Sequence, residues 1–366
     1  MRRLSVVVAA DDREAVRRRF AALPEIVALL DDDTGITADG VAIELVTAPA
    51  SELGPALVRA TGPPAHVAAL GRLPPAASER EVYERLGLPC PPPEIRGANV
   101  PASLPALVEA GDLRGDLHVH TTWSDGRDSV LTMAAAARDR GYEYLAICDH
   151  TPAVSVVRGL DADAVRRQGE EIAAANSELA PFRILRGVEY DILGDGGLDL
   201  PDDVLDELDW VQISLHRGQR APREELTARV TEAMRHPAAR CLSHPTGRLI
   251  GHRPPNALDL ECTIEVALET GTALEVNGLA NRLDLSGEHV GLAVEAGARI
   301  VCSTDAHSVV GLANIDLAVR TARRGWAEAA DVLNTLPLSG AACSLRHLRE
   351  RRFRPRARRR DGGKAE

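Results

Sequence analysis

The chain has 366 residues, 45% of them hydrophobic and only 3% aromatic, with a formal net charge of -11. That length exceeds one average domain and suits a barrel-sized domain beside a smaller one. No apolar run approaches the ~18 residues a membrane span needs, and the overall acidity argues against a protein that coats nucleic acid uniformly. Residues 1–10 are basic and then apolar, but Asp11 and Asp12 follow at once, so no secretory leader is expected and the chain reads as cytoplasmic. The six cysteines (Cys90, Cys148, Cys241, Cys262, Cys302, Cys343) never form a CxxC pair, and they are expected to be buried free thiols in a reducing compartment.

Residues 1–88 alternate strand and helix signals: strands at 4–9 and 41–46, helices at 13–23 and 51–60. A proline-dense stretch follows (Pro89, Pro91, Pro92, Pro93, Pro101, Pro105), which neither helix nor strand interior tolerates, and it places a linker at 89–111. A large domain is expected at 112–345. A tail at 346–366 closes the chain and is expected to be disordered; nine arginines between Arg346 and Arg360 could bind nucleic acid.

From Gly115 onward, short runs rich in Val, Ile and Leu alternate with helical patterns. The runs lie at 116–120, 144–150, 183–192, 210–216, 240–244, 273–277 and 299–307, with helices such as 129–140, 162–179 and 257–269 between them. Buried runs joined by helices indicate parallel strands in βα units, and seven units suggest a closed or nearly closed α/β barrel.

Chemistry-bearing residues sit at the ends of these runs: His118 and His120 on the first, His150 on the second, Glu189 on the third, His216 on the fourth, His244 on the fifth, Asp305 and His307 on the seventh. In a (β/α) barrel the C-terminal strand ends share one mouth, so these groups converge. Residues i and i+2 of a strand face the same side, so His118 and His120 can share an ion, as can Asp305 and His307 if the last strand reaches them. Asp125, just beyond the first run, can add a hard oxygen from the rim. Six of the eleven histidines fall at these ends, a joint placement that scattered structural histidines would not produce. Imidazole and carboxylate without thiolate suit Mn, Zn or Fe, and nine ligands are too many for one ion.

These residues lie in the strings Gly115–Thr121, Ser124–Gly126, Cys148–His150, Gly187–Glu189, His244–Arg248, Asn277–Leu285 and Thr304–His307. Together the strings resemble the PHP (polymerase and histidinol phosphatase) superfamily, and most of all the PHP domain at the C-terminus of bacterial family X DNA polymerases. The resemblance covers about residues 112 to 340. It implies a distorted, TIM-like (β/α)7 barrel after a small α/β palm-like domain, and three divalent metal ions, Mn or Zn with Fe as a further option. It also implies the ligand sets: His118, His120, Glu189 and Asp305 for one ion; His216 and His244 with a bridging Glu189 for a second; Asp125, His150 and His307 for a third.

The expected chemistry is hydrolysis of a phosphate ester, with Asp125, Glu189 and His307 at the reacting centre and Arg248 and Arg282 gripping phosphoryl oxygens through their guanidinium forks. Asp149 and Asp191 are expected to orient ligands. Residues 1–88 resemble the later part of the family X palm, but two of its three metal-binding carboxylate positions hold Arg3 and Ser5, with Glu44 at the third. No polymerase activity is expected, nor the fingers and DNA-gripping segments that precede that palm. Three functions remain open: a 3′-5′ exonuclease or 3′-terminal phosphatase on DNA, a small-molecule phosphatase of the histidinol phosphate type, and a non-catalytic DNA-binding scaffold with a structural metal cluster.

Overall fold

A computed structural model of the chain describes residues 3–98, 102–154 and 157–338. The arginine-rich tail and Cys343 lie outside the described residues. The chain divides between Pro105 and Ala106, inside the proline-dense stretch.

The first unit contains strands β1 (Arg3–Ala9), β2 (Ile26–Asp31), β3 (Thr34–Thr37) and β4 (Ala42–Ala48), with helices α1 (Arg13–Ala21), α2 (Leu53–Thr61), α3 (Pro64–Leu70) and α4 (Glu79–Leu86). The sheet runs β1-β4-β3-β2, with β1 parallel to β4 and the rest antiparallel. The β2-β3 hairpin was not anticipated from the sequence; Asp32 and Asp33 make its turn, and Asp33 accepts from Arg17 on α1 at 2.6 Å. A small core of Val58, Leu70, Val82 and Tyr83 lies under the helices. His66 is buried there and satisfied, with Nε2 2.6 Å from the Tyr83 hydroxyl and Nδ1 2.8 Å from the Gly97 carbonyl.

The second unit is one sheet of seven parallel strands: β5 (Gly115–Val119), β6 (Tyr144–Ile147), β7 (Arg183–Asp191), β8 (Trp210–Ser214), β9 (Cys241–Leu242), β10 (Ala273–Asn277) and β11 (Ile300–Ser303), in chain order. Between them run α5 (Val130–Asp139), α6 (Ala162–Leu179), the short α7 (Asp202–Leu205), α8 (Arg223–Arg235), α9 (Leu260–Thr270) and α10 (Gly287–Ala296), with α11 (Ile315–Arg324) after the last strand. Asp161, Asp259, Ser129 and Ser286 cap α6, α9, α5 and α10 by accepting from backbone amides of the first turn. The ends of the sheet meet: Val119 bridges to Ala306, and the His120 amide donates to the Ala306 carbonyl at 2.9 Å. The sheet is therefore a nearly closed barrel.

Strand alternation sorts the interior. Leu145 and Ile147 pack with α5 and α6 residues such as Met133 and Ile172, whereas Tyr144, Ala146, Cys148, Trp210, Cys241 and Val301 form a separate apolar cluster. That cluster is the barrel floor. Farther toward the C-terminal strand ends come buried polar side chains, Gln212, Ser214, Glu275, Asn277 and Ser303. Cys148, Cys241 and Cys302 are buried free thiols in the barrel, but Cys90, in the proline-dense stretch, and Cys262, on helix α9, are only partly buried. Among the described residues no helix is long and apolar enough to cross a membrane.

Candidate metal centre at the barrel mouth

Several strands end before the residues expected to act. β8 stops at Ser214, β9 at Leu242 and β11 at Ser303, so His216, His244, Asp305 and His307 stand on the loops beyond. The expectation that Asp305 and His307 share an ion by strand alternation fails for this reason. Asp305 lies in left-handed backbone (φ 54°), as does His244 (φ 25°), and each turn re-aims its side chain toward the axis.

The other loops are held by hydrogen bonds. Asp149 accepts from the Thr121 amide at 2.8 Å, the Thr121 hydroxyl at 2.6 Å, the Ser124 hydroxyl at 2.5 Å and Gln168 at 2.6 Å, which folds the loop carrying Asp125 back over the site. Gly126 is required in that loop, since a Cβ there would meet the Thr121 nitrogen at 2.6 Å. Asp191 accepts from the His216 amide at 3.0 Å and lies 3.6 Å from His216 Nδ1.

All nine expected side chains converge. Glu189 is central: Oε1 lies 2.8 Å from His244 Nε2 and 3.4 Å from His216 Nε2, and Oε2 lies 3.1 Å from His150 Nδ1, 3.4 Å from His118 Nε2 and 3.5 Å from His120 Nε2. Asp305 Oδ1 stands 3.2 Å from His120 Nε2 and 3.8 Å from His118 Nε2. Asp125 lies 3.2 Å from His307 Nε2, 3.6 Å from His150 Nε2 and 3.7 Å from His120 Nδ1. Three groupings keep their ligand atoms within 4.8 Å of one another: His118, His120 and Asp305; His150, Glu189 and His216; and His120, Asp125, His150 and His307. His120 and His150 thus each reach into two.

The donor set fits cations. His118 Nδ1 lies 2.6 Å from a Glu275 oxygen, and its Nε2 faces His120 Nε2 at 3.1 Å. Two imidazole nitrogens and the Asp305 and Glu189 carboxylates thus face one another in a buried space. That arrangement is repulsive unless protons or a cation lie between them. The Nδ1 atoms of His120, His150, His216 and His244 are buried without a hydrogen-bond partner.

Charge follows the same logic. Burial opposes ionisation of Glu189 and Asp305, yet His118 and its neighbours hold both well below the usual carboxylate range. Burial also opposes protonation of His216, but Glu189 and Asp191 push it up to about 9. His307 is likewise pushed up to about 9 against burial by Asp125 and Asp305. His120, fully buried among other imidazoles, is lowered to about 4 by burial and, despite Asp305, by repulsion from His150 and His307.

The two arginines part company. Arg282 Nε lies 3.4 Å from Asp305 Oδ2 at the edge of the centre. Arg248 instead donates through Nε to the Arg282 carbonyl at 2.8 Å and through Nη2 to the Leu283 carbonyl, so it fastens the loop that bears Arg282. Glu275, fully buried beneath the centre, went unnoticed in the sequence; a lone carboxylate in an otherwise apolar strand was the available signal.

A family model of the PHP domain matches residues 116–275, the segment that supplies seven of these nine side chains. The chain is 44% identical over 273 residues to "DNA polymerase/3'-5' exonuclease PolX" of Bacillus subtilis, covering 74% of this chain and 48% of the relative. It thus spans about half the length of that relative. It is 32% identical over 201 residues to a "Probable phosphatase" of Acetivibrio thermocellus, covering 52% of this chain and 78% of the relative. Among solved structures, histidinol phosphate phosphatase of Lactococcus lactis, complexed with zinc, L-histidinol and phosphate, aligns at TM-score 0.40 and 12% identity over 57% of this chain and 93% of that one. From the family match and the phosphatase relative covered over most of its length, the chain belongs to the PHP domain family, as a phosphoester hydrolase.

Proposed function

We propose that this hydrolase acts on DNA 3′ ends, as a 3′-5′ exonuclease or a 3′-terminal phosphatase, with Glu189 bridging divalent ions in a three-ion centre of His118, His120, Asp125, His150, His216, His244, Asp305 and His307. The observation that carries this reading is the charge of the mouth. On a chain of net charge -11, the loops after β8, β9 and β10 bear Arg217, Arg220, Arg248, Arg253 and Arg282. Arg253 is held below its ordinary range by burial and by repulsion from Arg282 and Arg220, which places these three within one field; of the two carboxylates on these loops, Asp284 is buried and accepts from Thr246, and Asp259 pairs with Arg223 at 2.7 Å. This arginine-bearing arc of the rim attracts a phosphodiester backbone. The similarity to the Bacillus subtilis polymerase and exonuclease supports the same substrate class.

Mn or Zn suits these ligands, and bound ions would supply hydroxide near neutral pH and neutralise charge developing on the phosphoryl oxygens. The side chains do the rest. Arg282 grips a phosphoryl oxygen and Arg248 fixes the loop that aims it. Asp125 and His307, the most exposed members at 26% and 34%, form the edge by which substrate enters.

The first unit reads as a palm that has lost its own centre. Ser5 pairs in register with Glu44, and its hydroxyl donates to the Glu44 carboxylate at 2.9 Å. One carboxylate beside a hydroxyl is too little charge for two magnesium ions.

A second reading, a small-molecule phosphatase, is favoured by the relatives called probable phosphatases, one of them matched over 78% of its length. Assay of the chelated full chain, with Mn or Zn restored, on 3′-labelled single-stranded DNA, histidinol phosphate and an aryl phosphate separates the two. Turnover of the small esters alone would sink the DNA reading. Metal loading without turnover of any of the three would leave only a scaffold.

A further inference from the structure

Beneath the metal-ligand layer, one carboxylate collects donors from five strands or the loops that continue them. Glu275 on β10 is fully buried. Its Oε1 lies 2.6 Å from His118 Nδ1 and accepts from the Ser303 hydroxyl at 2.6 Å and from Gln212 Nε2 at 3.3 Å. Its Oε2 accepts the His244 amide at 2.6 Å and Asn277 Nδ2 at 3.2 Å. The same Asn277 amide donates to Asp305 at 3.0 Å. Glu275 therefore touches His118 and the His244 backbone directly and Asp305 through one intermediary: two members of one grouping, and the turn that carries His244.

We infer that Glu275 is the positioning residue of the metal centre: it fixes His118 as the Nδ1–H tautomer with Nε2 free to ligate, and pins the left-handed turn that aims His244. The inference rests on reading His118 and His244 as metal ligands. An imidazole that ligates through one nitrogen is oriented by what the other donates to, and a carboxylate acceptor also makes the ring more basic. The backbone contact adds a second duty. His244 has φ 25°, a region a side-chain-bearing residue rarely adopts, and its amide is held by Glu275 rather than by a ladder partner. Ser303 and Gln212 fill the remaining acceptor capacity of Oε1, so the carboxylate has one orientation. A glutamine here keeps the shape but turns one acceptor into an NH2 that must face donors, and the network cannot be satisfied.

The test is metal binding by the full-length chain after chelation, read by equilibrium dialysis against zinc with elemental analysis, for wild type and Glu275→Gln. Outer carboxylates of this kind govern affinity by about 10- to 100-fold, and a weakening of that size is expected in the variant while its metal-free melting curve stays cooperative. Equal affinity and stoichiometry in the two proteins would overturn the role of Glu275 alone. Failure of the wild type to bind zinc would overturn the ligand reading beneath it. Should the variant not fold, nitrogen-15 NMR of zinc-loaded wild type decides: His118 is expected to carry its proton on Nδ1 and metal on Nε2, and the reverse assignment contradicts the inference.

Discussion

Glu189 Oε1 lies 2.8 Å from His244 Nε2 while its other oxygen lies 3.1 Å from His150 Nδ1. The two carboxylate oxygens thus face imidazoles carried on different loops, those after β9 and β6. Glu189→Gln keeps the volume and removes half of the proposed bridge. It is expected to lower kcat on the order of 10²- to 10³-fold, with a reduced metal-to-chain ratio by elemental analysis. Full metal content with unchanged kcat would remove Glu189 from the centre.

Arg282 and Arg248 should separate in kinetics and melting. Arg282→Ala removes a charge-assisted contact to substrate, worth ~1.5–3 kcal/mol, and is expected to cost about 10- to 100-fold in kcat/KM with little change in Tm. Arg248→Met frees two backbone carbonyls of the Arg282 loop. It is expected to lower Tm visibly and kcat/KM more mildly. The opposite pattern would make Arg248 the substrate contact.

Protonation couples to metal. In the metal-free chain His216 and His307 are both pushed up to about 9 from 6.5. Groups raised in this way stabilise the fold fully below ~6.5 and lose that contribution as pH rises through ~9. Chelated protein is therefore expected to melt lower at pH 9.5 than at pH 6.5. Metal binding must displace the same protons, so affinity should climb with pH and level off above ~9. Titration calorimetry in two buffers of different ionisation enthalpy should register more than one proton released per chain at pH 7; no release would show that these imidazoles are not ligands.

Ser5 and Glu44, in register on β1 and β4, put one carboxylate beside a hydroxyl where the palm would need paired carboxylates. Primer extension with magnesium and deoxynucleotides is expected to yield no product. Incorporation of a single nucleotide would contradict the loss of the metal site in this palm-like unit.

The barrel was legible because buried parallel strands read as unbroken apolar runs, and six of the seven observed strands lie within the expected intervals, β5 beginning one residue early at Gly115. Strand ends were not legible. His244 and Asp305 reach the axis through left-handed turns; His and Asp enter that region more readily than most side chains, but nothing in the neighbouring residues marks these two positions as the ones that do. The β2-β3 hairpin was overlooked although an apolar run before Asp32 and Asp33 is a turn signal; most of β2 is solvent-exposed, so its apolar residues carry no burial pattern. Arg248 illustrates a different gap. Sequence places an arginine near the mouth, but only the fold shows its guanidinium spent on carbonyls.

The most direct measurement is hydrolysis of 3′-labelled single-stranded DNA by the purified chain, chelated and then reloaded with manganese or zinc, beside a His120→Ala variant prepared identically. The expected result is label released from the 3′ end only when metal is present, and no release by the variant. Intact DNA in the presence of a fully loaded wild-type centre, or equal hydrolysis by His120→Ala, would contradict it.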